Sequence, residues 1–220
     1  MRFKLKAMLL AVVMTAIGTS QSQASFVTYT TQASYLAAIS NPGVDTYDDL
    51  PLGFVSSPLN RTAGTYTYTA STPNDFFQVG TPPDVWLSTN VSGDTITFNT
   101  FSAGVRGVGG FFFSTDNPGN FLPGTSIVLT ATDGSGTVNQ TLTNTTTGKF
   151  FGFVSNGPIT FVTVTSVQPA NDFAFTTVND LTLGRAPANA VPAPAGLLLG
   201  LTGLPIFGVV ARLRRNAVQA

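Results

Sequence analysis

The chain has 220 residues, with 10 basic and 10 acidic side chains and no His or Cys, and every acidic residue is Asp. The usual zinc and copper sites and the Ser-His-Asp and Cys-His nucleophiles are therefore excluded, while oxygen-ligand ions such as calcium stay open. Six of the basic residues lie at the two ends, so residues 25–185 hold four basic residues against ten Asp, a net of −6 that does not suit nucleic acid or anionic lipid.

In chain order, residues 1–24 read first as a secretory signal peptide. Arg2, Lys4 and Lys6 form a basic start, and residues 7–17 form an apolar run too short to span a bilayer comfortably. Ser22 and Ala24 are the small residues that precede a cleavage between Ala24 and Ser25. Residues 25–185 follow as one exported domain, which must build its own core because no disulfide is available.

That domain is rich in Thr, Ser, Asn, Gly and Phe, a composition of strands and turns. One short helix is predicted in "TTQASYLAAIS". Thr30 or Thr31 would cap it, Tyr35, Leu36 and Ile39 would share a face, and "NPG" would stop it. Beyond it, period-2 alternation places Tyr66 and Tyr68, then Ile96 and Phe98, then Ile127 and Leu129 on inward faces opposite polar residues. "GKFFGFV" carries Phe on both parities, and "ITFVTVTSV" changes phase between Phe161 and Val162, as at a bulge or a strand buried on both faces. In the last strand Phe173, Phe175, Leu181 and Leu183 share one phase and Asp180 points the other way. Turn sequences such as "VSGD", "DNPGN" and "TDGSG" recur, so the domain reads as mainly β, an antiparallel β-sandwich with one N-terminal helix.

Residues 186–194 form a Pro/Ala linker and 195–215 a hydrophobic helix with an arginine-rich end. Its 17 uncharged residues, 195–211, sit at the lower limit for crossing a membrane, and Arg212, Arg214 and Arg215 would stay on the cytoplasmic side.

Val191, Pro192, Ala193 and Pro194, the Leu/Gly-rich span and the arginine cluster together resemble the PEP-CTERM sorting signal of Gram-negative bacteria, with Ala193 where the motif has Glu. The resemblance implies an exosortase as processing enzyme, a transient stay in the inner membrane, release to the cell surface or extracellular matrix, and association with exopolysaccharide. Three segments, "YLAAI…DTYDDLPLG", "VGGFFFSTDNPG" and "FFGFVSNGPITFVTV…VNDLTLG", also look like the domains found in many PEP-CTERM proteins. Folds of that kind resemble lectin-like jelly rolls and carbohydrate-binding modules. In such sandwiches the first and last strands often share a structural calcium, so Asp48 or Asp49 with Asp180 is a candidate calcium site, against the plainer reading that these residues cap turns and strand ends.

Two further places carry polysaccharide chemistry. Trp86, the only tryptophan, would face outward and stack on a sugar ring if Val85 and Leu87 face the core; the alternative buries it. Asp116, Asn117 and Asn120 offer a carboxylate and amides to sugar hydroxyls from "STDNPGN", which otherwise reads as a tight turn. The expectation is a non-catalytic surface or matrix protein that binds exopolysaccharide. The alternatives are an Asp-dependent enzyme acting on that polysaccharide, which would need a carboxyl pair, and an unprocessed, tail-anchored envelope protein.

Overall fold

A computed structural model describes residues 26–186. The signal-peptide reading, the Ala24–Ser25 cleavage site, the Val191 to Pro194 motif and the hydrophobic segment with Arg212, Arg214 and Arg215 lie outside the described residues. Among the described residues no helix is long and apolar enough to cross a membrane.

The elements follow as β1 (Phe26–Tyr29), α1 (Gln32–Ala37), β2 (Ser40–Asp45), β3 (Gly53–Val55), β4 (Leu59–Ala63), β5 (Tyr66–Ser71), β6 (Phe76–Thr81) and β7 (Asp84–Thr89). Then come β8 (Thr95–Asn99), β9 (Gly107–Thr115), β10 (Ile127–Asp133), β11 (Gly136–Leu142), β12 (Phe150–Ser155), β13 (Ile159–Ser166) and β14 (Phe175–Arg185). An eight-stranded sheet runs β1-β12-β9-β14-β7-β6-β3 with β2 also paired to β14, and a six-stranded sheet runs β11-β10-β13-β8-β5-β4. Among the described residues the fold is a β-sandwich of two antiparallel sheets plus one short helix.

The inward faces follow the alternation in the sequence. Tyr66, Tyr68, Ile96, Phe98, Ile127 and Leu129 from the smaller sheet meet Phe76, Leu87, Phe112, Phe153, Val178 and Leu183 from the larger one in a single core. Burial of each such side chain contributes roughly 1.5–3 kcal/mol before conformational entropy is subtracted. Among the described residues, 26–186 supply both sheets and the core between them, the contacts that a folding unit needs.

Thr31 caps α1, its side chain accepting the Ser34 N–H. Tyr35 and Ile39 are buried as expected, but Leu36 is not on that face and is 37% exposed. "NPG" does not end the helix into a turn; Asn41, Pro42 and Gly43 belong to β2. The helix docks on the outer face of the larger sheet, where Gly107, Gly152 and Gly184 on the adjacent strands β9, β12 and β14 make a seat for Tyr35 and Ile39. A Cβ at Gly152 would stand 2.6 Å from the Tyr35 ring, and one at Gly184 2.5 Å from Ile39. The double parity of "KFFGF" now has its cause: Phe151 and Phe153 enter the core between the sheets, while Phe150 packs under α1 on the opposite face.

Two bulges adjust the phase. β13 skips Thr160 in its pairing with β10, which returns Val162 to the core after Ile159 and leaves Phe161 exposed. In β14, Asn179 pairs with Phe111 and Thr182 with Gly109, so three steps on one strand match two on the other. Asp180 takes the extra position with φ 51°. Val178 and Leu181 therefore both point inward, and Phe173 and Phe175 do not share the phase of Leu181 and Leu183: Phe173 is 65% exposed.

Candidate functional site

The half of the outer face not covered by α1 is aromatic. Strand register places Val79 opposite Trp86, and Phe77 opposite both Ser88 and Phe54. Ser88 in turn lies opposite Thr177, and Thr177 opposite Phe113. Val85 and Leu87 are buried inward, so Trp86 takes the outward position with its ring half-buried. The ring stands edge-on to Phe113 at 4.9 Å between centroids, and its Nε1–H donates to Asp84 Oδ1 at 3.1 Å. Ser88, Thr115 and Thr177 form a buried ring of hydroxyl hydrogen bonds on the same face.

The segment after β9 folds back over this face. Asp116 closes its turn by accepting the Asn120 N–H at 2.7 Å, Phe121 bridges back to Thr115, and Phe121 packs edge-on to Phe113. Gly119 approaches β6 so closely that a Cβ there would lie 2.7 Å from Val79. The result is an open groove of about 600 Å³ lined by Phe77, Val79, Asp84, Trp86, Asn120 and Phe121, with Leu52 at its rim. Asp116 and Asn117 line a smaller hollow that shares Phe77 and Val79 with the groove. The fold thus brings Trp86, Asp116, Asn117 and Asn120 to one face, although the Asp116 carboxylate is largely engaged in its own turn.

Phe77 and Asp84 line the same groove and were not singled out in the sequence. The spacing of Phe77 and Val79 in "DFFQVGT" marks a shared face. Nothing local marks Asp84, whose Oδ1 also accepts from Asn179 Nδ2 at 2.9 Å across 95 residues.

Of the three Asp candidates for calcium, Asp48 comes near Asp180 and Asp49 does not. β14 does pair with β2, but Asp49 turns away: both its oxygens accept from Arg61, at 2.6 and 2.9 Å. Asp48 Oδ1 accepts the Val85 N–H at 3.2 Å. Asp180 faces Asp84 and Asp48; burial, then the charges of Asp84 and Asp48, hold its carboxyl above the ordinary carboxylate range. Among the described residues no three acidic side chains are arranged to hold a metal ion. Of the two pairings the sequence offered, Asp49 is committed to Arg61, while Asp48 lies within electrostatic reach of Asp180.

Arg61 belongs to a separate, buried network that joins the sheets. Its Nε and Nη2 donate to Asp45 at 3.0 and 2.6 Å, and Asp45, 4% exposed, also accepts from the Tyr68 hydroxyl at 2.6 Å and the Tyr47 N–H at 3.1 Å. Burial opposes the Arg61 charge, yet the bonds to Asp49 and Asp45 outweigh it and keep the guanidinium fully protonated. Burial, then the neighbouring Asp45, pushes the Tyr47 hydroxyl well above its usual range. This network, buried at Asp45 and open to solvent at Asp49, holds β2, in one sheet, to β4 and β5, in the other.

No protein family matches the chain, and no curated protein does. One solved structure that it resembles is described as "Binding sub-site dissection of a family 6 carbohydrate-binding module by X-ray crystallography and isothermal titration calorimetry"; identity is 20%, the match covers 53% of this chain and 87% of that one, and the TM-score is 0.30.

Proposed function

We propose that this chain is an exported, non-catalytic protein that binds an extracellular polysaccharide in the groove beside Trp86. The observation that carries the reading is the groove itself: a tryptophan ring fixed by Asp84 and Phe113 lies beside Phe77, with the Asn120 amide at the margin. Flat apolar rings next to a few oriented polar groups match the two faces of a sugar ring. Net charge in the domain argues in the same direction, since −6 does not favour nucleic acid or an anionic membrane.

The lack of His, Cys and Glu supports a binding role over catalysis, as does the placement of the one carboxyl held above its normal range: Asp180 does not line the groove. The finer assignments belong to the same proposal. They are a lectin-like jelly-roll form for the sandwich, a leader removed after Ala24, and a PEP-CTERM-like tail through which an exosortase releases the protein to the surface or matrix. The sequence patterns at residues 1–24 and 191–215 support the last two.

Because Trp86 is the only tryptophan, its fluorescence reports directly on the groove. A glycan-array screen of residues 26–186, followed by titration of the retained glycans, should change the emission of Trp86, and Trp86→Ala should lose binding. Glycans that bind without altering the emission, or equally well to Trp86→Ala, would refute the site. Intact mass of the released protein should give a species starting at Ser25 and ending near Pro192 to Ala195; a released chain retaining Arg212 would refute the sorting reading.

A further inference from the structure

We propose that the groove selects an amine-bearing polysaccharide, a hexosamine polymer with free amino groups, and that Asp84 is the residue that reads the charge. The inference rests on the polysaccharide-binding reading and adds the ligand class.

Asp84 is the charged residue of the groove wall, and no Lys or Arg lines it. The basic side chains of the domain are placed elsewhere. Arg61 is held by Asp45 and Asp49, Arg106 donates to the Asn156 carbonyl, Lys149 donates to the Thr143 carbonyl, and Arg185 lies against Gly104. A uronic-acid or sulfated chain entering the groove would meet a carboxylate with no cation to offset it.

The geometry of Asp84 suits an ammonium group. Both of its hydrogen bonds, from Trp86 Nε1 and Asn179 Nδ2, fall on Oδ1, and the residue is exposed. Oδ2 is left for a ligand, beside an indole ring whose edge the same residue fixes. A protonated amine there gains a charge-assisted hydrogen bond and can also approach an electron-rich aromatic face. Asp48 adds to the negative potential at this end: its charge and that of Asp84 both reach the Asp180 carboxyl. An N-acetylated sugar presents a neutral amide in the same place and forfeits the charge.

Asp84→Asn separates charge from structure, because an asparagine Oδ1 still accepts both existing bonds. The test is a Trp86 fluorescence titration of residues 26–186 at about pH 6, where a sugar amine is protonated. The probes are short oligomers of glucosamine, N-acetylglucosamine, glucose and galacturonate. Glucosamine oligomers should bind about tenfold more tightly than their N-acetylated counterparts, with galacturonate weakest. Asp84→Asn should bring glucosamine to within about twofold of N-acetylglucosamine, while Asp172→Asn, at an exposed loop, should leave the preference intact. Binding of N-acetylated, neutral or anionic oligomers as tight as that of glucosamine overturns the inference and leaves the polysaccharide-binding reading standing. So does a preference that Asp172→Asn relaxes as much as Asp84→Asn. If no oligomer or arrayed glycan binds, the broader reading fails with it.

Discussion

Arg61 is the place where one substitution tests the internal logic of the sandwich. Arg61→Ala removes two donors from Asp45, which is 4% exposed, and two from Asp49, whose side chain is 70% exposed. The second pair counts for little: exposed ion pairs contribute about 0.2–1 kcal/mol. The first counts for much more, since removing one partner of a buried pair strands the other charge and costs about 3–5 kcal/mol. Asp45 retains the Tyr68 hydroxyl and the Tyr47 N–H, so the lower end applies, about 3 kcal/mol. At about 2–4 °C per kcal/mol for a domain of this size, the melting temperature should fall by roughly 6–12 °C. Thermal and urea unfolding of residues 26–186 would measure it, with Asp49→Ala as the control that loses less than about 1 kcal/mol. A loss below about 1 kcal/mol for Arg61→Ala, or one matched by Asp49→Ala, would refute the argument that Asp45 is the partner that matters.

Other expectations can be checked on the same material. Asp180 has a raised carboxyl, so the folded state holds its proton more tightly and stability falls as pH rises from the ordinary carboxylate range through the raised value. Asp180→Asn should therefore stabilise the domain at neutral pH, by at most about 1 kcal/mol for this part-exposed site, and the gain should vanish in acid. Asp133 behaves oppositely: burial is outweighed by hydrogen bonds from Ser155, Ser135 and Gly136, which hold its carboxyl low. Its contribution is present above about pH 4 and lost as pH drops through the lowered value, so Asp133→Asn should cost about 1–3 kcal/mol at pH 7 and progressively less in acid urea titrations. Melting curves in EDTA and in millimolar calcium should coincide, because among the described residues no three acidic side chains are arranged to hold an ion; a calcium-dependent shift abolished by Asp180→Asn would contradict this. Gly152→Ala should push Tyr35 off its seat at a cost of about 1–3 kcal/mol, read by unfolding and by faster hydrogen exchange in α1.

What could be read from the sequence was whatever a period of two encodes. Tyr66, Tyr68, Ile96, Phe98, Ile127 and Leu129 declared their side of the sheet, whereas the side taken by Trp86 stayed open until the burial of Val85 and Leu87 decided it. Parity fails where the backbone inserts a residue, and so the phase of Phe173 and Phe175 was misread: the bulge at Asn179 and Asp180 has no local apolar signature. Leu36 was misread because a six-residue helix presents too little surface to bury a third side chain. The groove was half legible. Trp86 and the 116–120 turn stand out as residue types, but Asp84 and Phe77 gain meaning only when β14 and β9 are laid beside β7 and β6. The choice between Asp48 and Asp49 as neighbour of Asp180 was not legible, because the sequence around Asp49 does not show the arginine twelve residues on that binds it.

The glycine seat under α1 also bears on how the chain finds its pairing. Three strands each place one residue without a side chain beneath Tyr35 and Ile39. If β12 paired with β9 one position out of step, the neighbour of Gly152, Phe151 or Phe153, would stand where the Tyr35 ring must lie. The helix would then have no place to land, and the Tyr35 hydroxyl could not reach the Thr182 carbonyl, 2.9 Å away in the native arrangement. A chain so rich in Thr, Gly and Phe has many nearly equivalent ways to pair its strands. Docking of one short helix, formed near the start of the chain and seated on strands from its middle and end, admits one register and rejects the others.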